Sequence, residues 1–164
     1  MQRTFPLLVV VLAACGVGER LPPPPSGVAA IAVAAVENKT GSKLVVSGDS
    51  YVARWIGRER RTVDDVLARE LETTLRERGF SMGGSSAARL RVVLRRFEPD
   101  LPQLAYVTVA LTATLADPDG TVRWSGERST WLVSTAGSPS LEAAYDTAAR
   151  TVARGLVDGW EPKR

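Results

Sequence analysis

Apolar and polar positions along this chain repeat with two periods, and the switches between them mark out its elements. Val28 to Val36, VAAIAVAAV, is a short apolar run with β-branched residues and predicts a buried strand. The turn-rich loop ENKTGSK follows, then a short extension at Leu44 to Val46 and a loop through Arg61 that carries Trp55 and the cluster RERR. Thr62, with Asp65 three residues on, opens a helix as a capping box does. Val63, Val66, Leu67, Leu71 and Leu75 lie on one face of it, and Gly79 is placed to end it. The period then changes to two. Leu90, Val92 and Leu94 alternate with Arg89, Arg91 and Arg95, and Pro99 and Pro102 close that strand. Val107, Val109, Leu111, Ala113 and Leu115 alternate with Tyr106, Thr108, Ala110, Thr112 and Thr114 in the next.

The tetrapeptide DPDG, Asp117 to Gly120, is a turn, since Pro118 presets φ and Gly120 accepts a positive one. In the returning strand, Thr121 to about Val133, Val122 and Trp124 fall on even positions but Trp131 and Val133 on odd ones. An extra residue near Gly126 would restore the inward direction. A last helix starts near Ser140, with Leu141, Ala144, Tyr145, Ala148, Val152, Leu156 and Trp160 on one stripe. This order predicts an α+β fold, a two-layer sandwich. A mostly antiparallel sheet of four to five strands is covered on one face by two helices, and its Thr/Tyr/Arg face is wetter.

Ahead of this domain, Arg3 is a short basic segment and Phe5 to Ala14 an apolar run of ten residues. A spanning helix needs about 20 apolar residues, whereas the apolar region of a secretory signal peptide has about 7–15. Leu12-Ala13-Ala14-Cys15 ends the run, and Cys15 is the one cysteine of the chain. These four residues resemble the lipobox of bacterial lipoproteins. The resemblance implies cleavage before Cys15, a diacylglyceryl and an N-acyl lipid on that residue, and anchorage by more than one acyl chain, as stable binding requires. Gly16 at the second mature position implies the outer membrane, with the domain facing the periplasm. The alternative is an inert cysteine in an ordinary secretory signal. The expected organisation is a signal peptide over 1–14, a lipidated cysteine and Pro-rich linker over 15–27, one domain over 28–160 and a polar tail over 161–164. Pro22 to Pro25 predict a stiff polyproline segment that holds the domain off a membrane, or else a leader with no spacing role.

Composition narrows the chemistry. The 164 residues are 45% hydrophobic and 24% charged, with a net charge of +3, and removal of residues 1–14 takes away Arg3 and leaves +2. A nucleic-acid-binding domain carries a more concentrated basic face. The chain has no histidine, which excludes Ser-His and Cys-His nucleophiles and His-based metal sites. DPDG lacks the further oxygen ligands and closing Glu of a calcium loop. Gly79, Gly83 and Gly84 lack the Lys-Ser/Thr of a phosphate loop. Asp64 and Asp65 suit the positive end of a helix. The four tryptophans are core or interface anchors. No nucleophile elbow supports a hydrolase built on Ser and Asp. The chain is therefore expected to be no enzyme and to need no metal or cofactor beyond the lipid on Cys15.

Arg89, Arg91 and Arg95 remain as candidates for binding an anion. Side chains two apart on one strand face stand roughly 7 Å from each other, and the guanidinium fork suits phosphates and carboxylates. The plainer alternatives are arginines that blunt an edge strand or pair with glutamates.

The segments IAVAAVENKTG and VTVALTATLADPDGTVRWSG, with LVDGW in the closing helix, resemble the lipopolysaccharide-assembly lipoprotein family, LptE, over about Cys15 to Trp160. Leu44 to Arg61 stands as an insertion, and SSAARL replaces the segment expected before the second long strand. The resemblance implies a plug and chaperone in an outer-membrane β-barrel translocon for lipopolysaccharide, with Arg89, Arg91 and Arg95 toward lipid A phosphates. RWIGRERRTVDDVLARELETTLRERGF and LRRFEPD also resemble the PqiC-like auxiliary lipoproteins of ABC-type lipid transporters. That implies a periplasmic lipid-transport complex as the partner and a phospholipid as the ligand.

Overall fold

The first helix shows how residues close in sequence set an element. In the computed structural model, which describes residues 21–46 and 61–163, Val63–Glu77 is helical (α1) and Thr62 is its N-cap. Asp65 Oδ2 accepts from the Thr62 backbone N–H at 3.0 Å and from its hydroxyl at 2.8 Å. At the other end Gly79, at φ +93°, follows the cap Arg78. Phe80 N–H reaches Leu75 O at 3.1 Å and Gly79 N–H reaches Arg76 O at 2.9 Å, the paired bonds of a Schellman ending. The second helix, Leu141–Leu156 (α2), is capped by Ser140, whose Oγ accepts from Ala143 N–H at 3.2 Å. Its buried face is rich in alanine, with Ala144, Ala148, Ala149 and Ala153, which lets it approach its neighbours closely.

The strands are β1 (Ala30–Asn38), β2 (Val45–Val46), β3 (Arg61–Thr62), β4 (Ser81–Met82), β5 (Ala88–Pro99), β6 (Tyr106–Ala116) and β7 (Val122–Ser134). Five form one sheet in the order β4-β1-β5-β6-β7, and β2 and β3 form a separate antiparallel pair. The sandwich is α+β as expected, but its sheet is mixed. α1 carries the chain back after β1, so that β1 runs parallel to β4 and β5, while β5, β6 and β7 are antiparallel neighbours.

One face of this sheet makes the core with both helices. Ile31, Leu90, Val92, Leu94, Val107, Val109, Leu111, Ala113 and Leu115 are fully buried there, against Leu67, Leu71 and Leu75 of α1 and Val152 and Leu156 of α2. Trp124 and Trp160 are buried edge to face, their centroids 5.0 Å apart. Trp131 is half-buried, and Trp55 lies outside the described residues.

The change of phase in β7 is real but sits elsewhere. Gly126 pairs in register with Ala113, and the extra residue lies where Ser129 and Thr130 together face the single Ala110, between Arg128 opposite Leu111 and Trp131 opposite Val109. Gly126 is needed for its size: a Cβ there would stand 2.7 Å from the Trp124 ring. Gly155 of α2 likewise admits the ring of Trp131, 2.7 Å from where a Cβ would be.

Gly155→Ala is expected to lower stability by about 1–3 kcal/mol through overpacking, despite a helix-propensity gain of up to about 1 kcal/mol; a raised urea midpoint would contradict the Trp131 seat. The hydrogen bonds from Thr62 hold the Asp65 carboxyl below its ordinary value of 3.8. Its stabilisation is complete above that value and is lost as pH falls through the lower folded value. Asp65→Asn is expected to flatten this acid-side loss in unfolding measured against pH.

Candidate functional site

β5 is the third of five strands, so its arginines do not guard an edge. Leu90, Val92 and Leu94 point into the core, and Arg89 and Arg91 are exposed on the opposite face, which neither helix covers. Arg95 is exposed too, but as the extra residue of a bulge. Leu94 pairs with Leu111 and Arg96 with Ala110, and Arg95 lies between them without a partner position. Past the bulge the phase inverts, so that Arg96 is exposed and Phe97 is buried. The basic column therefore has a fourth member, Arg96. Its signal in the sequence is the step from an inward Leu94 to an inward Phe97, an odd interval that a regular strand cannot make.

The neighbours of the column are small. Arg89 stands between Ala32 of β1 and Ala116 of β6, Arg91 beside Thr114, and Arg96 beside Ala110. The arginine stems are thus flanked by low ground on the sheet. Two of the four cations have counter-charges. Arg91 donates to Glu37 Oε1, from Nε at 2.9 Å and also from Nη2, and Lys39 Nζ lies 3.6 Å from the other oxygen of Glu37. Arg96 Nε donates to Glu98 Oε2 at 2.7 Å. Arg89 and Arg95 have no acidic partner among the described residues. Pairing with glutamate, one of the plainer alternatives, thus accounts for Arg91 and Arg96 and leaves these two.

Several other charged groups are committed to the scaffold. Glu70 of α1 is buried and receives Arg154 Nε at 2.8 Å and Arg150 Nη1 at 3.1 Å, both from α2. Arg150 also holds Asp146 at 2.8 Å. A groove of about 470 Å³ beside this brace is lined by Thr74, Glu77, Arg78 and Arg154. Its arginines are already paired, Arg78 with Asp158 at 3.0 Å and Arg154 with Glu70. In the DPDG turn, Asp117 pairs with Arg123 at 2.6 Å and Asp119 accepts from Thr121 N–H at 2.9 Å, so both carboxylates close the hairpin. Among the described residues no three His, Cys, Asp or Glu side chains are placed to hold a metal ion. No helix among them is long and apolar enough to cross a membrane. Cys15 and the lipobox residues Leu12, Ala13 and Ala14 lie outside the described residues.

No family model and no curated protein matches this chain. Solved structures do. A PelC dodecamer from Paraburkholderia phytofirmans is similar with a TM-score of 0.51 at 15% identity, over 88% of this chain and 97% of that one. A singly substituted variant of that PelC, also a dodecamer, has a TM-score of 0.51 at 16% identity, with coverage of 88% and 97%. Protein XCC0632 from Xanthomonas campestris, of the DUF330 family, has a TM-score of 0.50 at 18% identity, over 85% of this chain and 90% of that one. At these identities the likeness is one of fold.

The hydrogen bond from Arg91, more than any other cause, holds the Glu37 carboxyl below its ordinary value of 4.5. Arg91→Ala is expected to raise it toward that value in an NMR titration of the carboxyl carbon. An unchanged titration would mean that the pair does not persist in solution.

Proposed function

We propose that this chain is a lipid-anchored, non-catalytic accessory subunit of the bacterial envelope, held at the outer membrane by Cys15 with its domain in the periplasm. It serves lipopolysaccharide assembly there by binding and positioning, alongside an outer-membrane β-barrel partner. The observation that carries this is the basic column on the uncovered face of a central strand, with Arg89 and Arg95 free of acidic partners among the described residues. Guanidinium groups flanked by alanine and threonine are open to the phosphates of an amphiphile, and a planar fork binds such groups in two-point fashion. The lipobox supports the anchor, and IAVAAVENKTG with the DPDG hairpin supports the process. Recognition of such an amphiphile makes no bond and breaks none.

A second process is supported by the resemblance of residues 54–80 and of LRRFEPD to auxiliary lipoproteins of ABC-type lipid transporters. The same column then meets a phospholipid headgroup, and the partner is a periplasmic lipid-transport complex.

Cys15→Ala is expected to leave the precursor uncut and released from membranes, and inhibition of the lipoprotein signal peptidase is expected to block processing of the parent. The double change Arg89→Ala/Arg95→Ala is expected to weaken lipopolysaccharide binding by about tenfold or more, the equivalent of losing one charge-assisted hydrogen bond of about 1.4 kcal/mol. Unchanged binding would remove the column from the account. A mild-detergent pulldown separates the two processes. A β-barrel partner supports the first, and lipid-shuttle proteins support the second.

A further inference from the structure

The Pro-rich linker is seated on the domain at Leu21, Pro25 and Val28, while Pro22 to Pro24 keep an exposed side. Val28 is buried, and its carbonyl accepts from Lys163 N–H at 2.8 Å. Pro25 is buried as well. Pro24 rests beside Gly159, just past α2, with its Cγ 3.5 Å from where a Cβ on that glycine would stand. Leu21 packs against the core at Gly126 of β7, its Cδ2 2.9 Å from a Cβ position there. The linker therefore crosses the helix side of the sheet, from the start of β1, past the end of α2, to β7. Prolines suit such a strap. They have no N–H to leave unpaired against an apolar surface, and their fixed φ reduces the entropy lost on seating.

β7 is the last strand of the sheet, so a chain that reaches Gly126 has arrived at an edge of the domain. Resting on the lipid anchorage of Cys15 proposed above, we infer that this strap orients the domain on the membrane. The bilayer surface lies against the side formed by the first half of β7, Val122 to Glu127. The far end of the sheet, with Leu101, Tyr106 and Leu132, faces the periplasm. The length of chain outside the seat sets the limit: the six steps from Cys15 to the seated Leu21 span at most about 20 Å when fully extended. The tether thus keeps Leu21, and with it the first half of β7, close to the membrane, and the far end is the part it restrains least. Ala113 pairs with Gly126 and Tyr106 with Ser134, and the seven steps from Ala113 to Tyr106 put that end about 23 Å further along the sheet. Leu101, Tyr106 and Leu132, at 64%, 41% and 61% exposure, are the apolar side chains of that end. In this orientation they stand off the lipid, although their chemistry alone would favour it.

The test uses the mature lipidated chain on vesicles carrying a headgroup-labelled energy acceptor. The lipid consumes the Cys15 thiol, so a cysteine introduced as Ser125→Cys on β7, or as Gln103→Cys at the far end, is the one free thiol for a donor dye. Energy transfer from position 125 is expected to exceed that from position 103 by about twofold or more, given the distances along the strands. Equal transfer, or more from position 103, would overturn the orientation and leave the anchor standing. Leu21→Ser unseats the strap and is expected to narrow the difference; an unchanged difference would overturn the strap as its cause. A folded chain that does not float with the vesicles would overturn the anchorage, and the orientation with it.

Discussion

A β-strand can offer its helices only every second side chain, and this parity constraint governs the molecule. β5 gives Leu90, Val92 and Leu94 to the core, so the residues between them must stand on the face that no helix covers. In β6 the same rule buries Val107 through Leu115 at every odd position and leaves threonine and alanine outside. Shifting either strand by one residue would bury arginine or threonine and expose leucine, at a cost no other part of the structure could offset. The arginine column and the core are two sides of one choice.

Where the chain breaks parity it does so locally, with a bulge. The extra residue Arg95 in β5 and the pair Ser129 and Thr130 in β7 lie on either side of Ala110, the β6 residue at which both ladders slip. Both slips fall opposite the same segment of β6, so β5 and β7 change phase together about a strand that keeps its own, and Phe97, Val109 and Trp131 share the inner face. The bulges let aromatic side chains pack against α2, with Phe97 edge to face on Tyr145 at 5.7 Å and Trp131 against Gly155. They also bring Arg95 and Arg96 out side by side.

Charge is divided along the same line. Between the helices, Glu70 is enclosed by Arg150 and Arg154, and its burial is tolerable because two guanidinium groups satisfy it. On the open sheet face the acids are fewer, and Glu37 and Glu98 engage only Arg91 and Arg96 of the column. Among the described residues the buried charge between the helices is thus satisfied, whereas Arg89 and Arg95 of the column stand exposed on the sheet with no acidic partner.

The first helix and the start of the second were legible to within a residue or two, because capping depends on neighbours: Thr62 with Asp65, Ser140 with Ala143, Gly79 after Arg78; the second helix ends at Leu156, and Trp160, expected on its stripe, is buried beyond it. The α+β class and the buried faces of β5 and β6 were legible for the same reason, since alternation is written into consecutive residues. Arg89, Arg91 and Arg95 could be placed on the exposed face, but Arg96 and the central position of β5 could not. Bulge positions answer to cross-strand partners, and strand order to contacts between residues some fifty apart, such as Arg91 with Glu37. Gly126 shows the difference well: its sequence context suggested a bulge, whereas Trp124 and Leu21 require it to be small. By itself the sequence determined the apolar faces of α1, β5 before its bulge and β6, because these follow from local periodicity, whereas Glu70, read as solvated, is buried by α2 and most of β1 is only partly buried. Tertiary structure alone decided strand order, the bulges and the seat of the linker, because each is settled by the packing of segments distant along the chain.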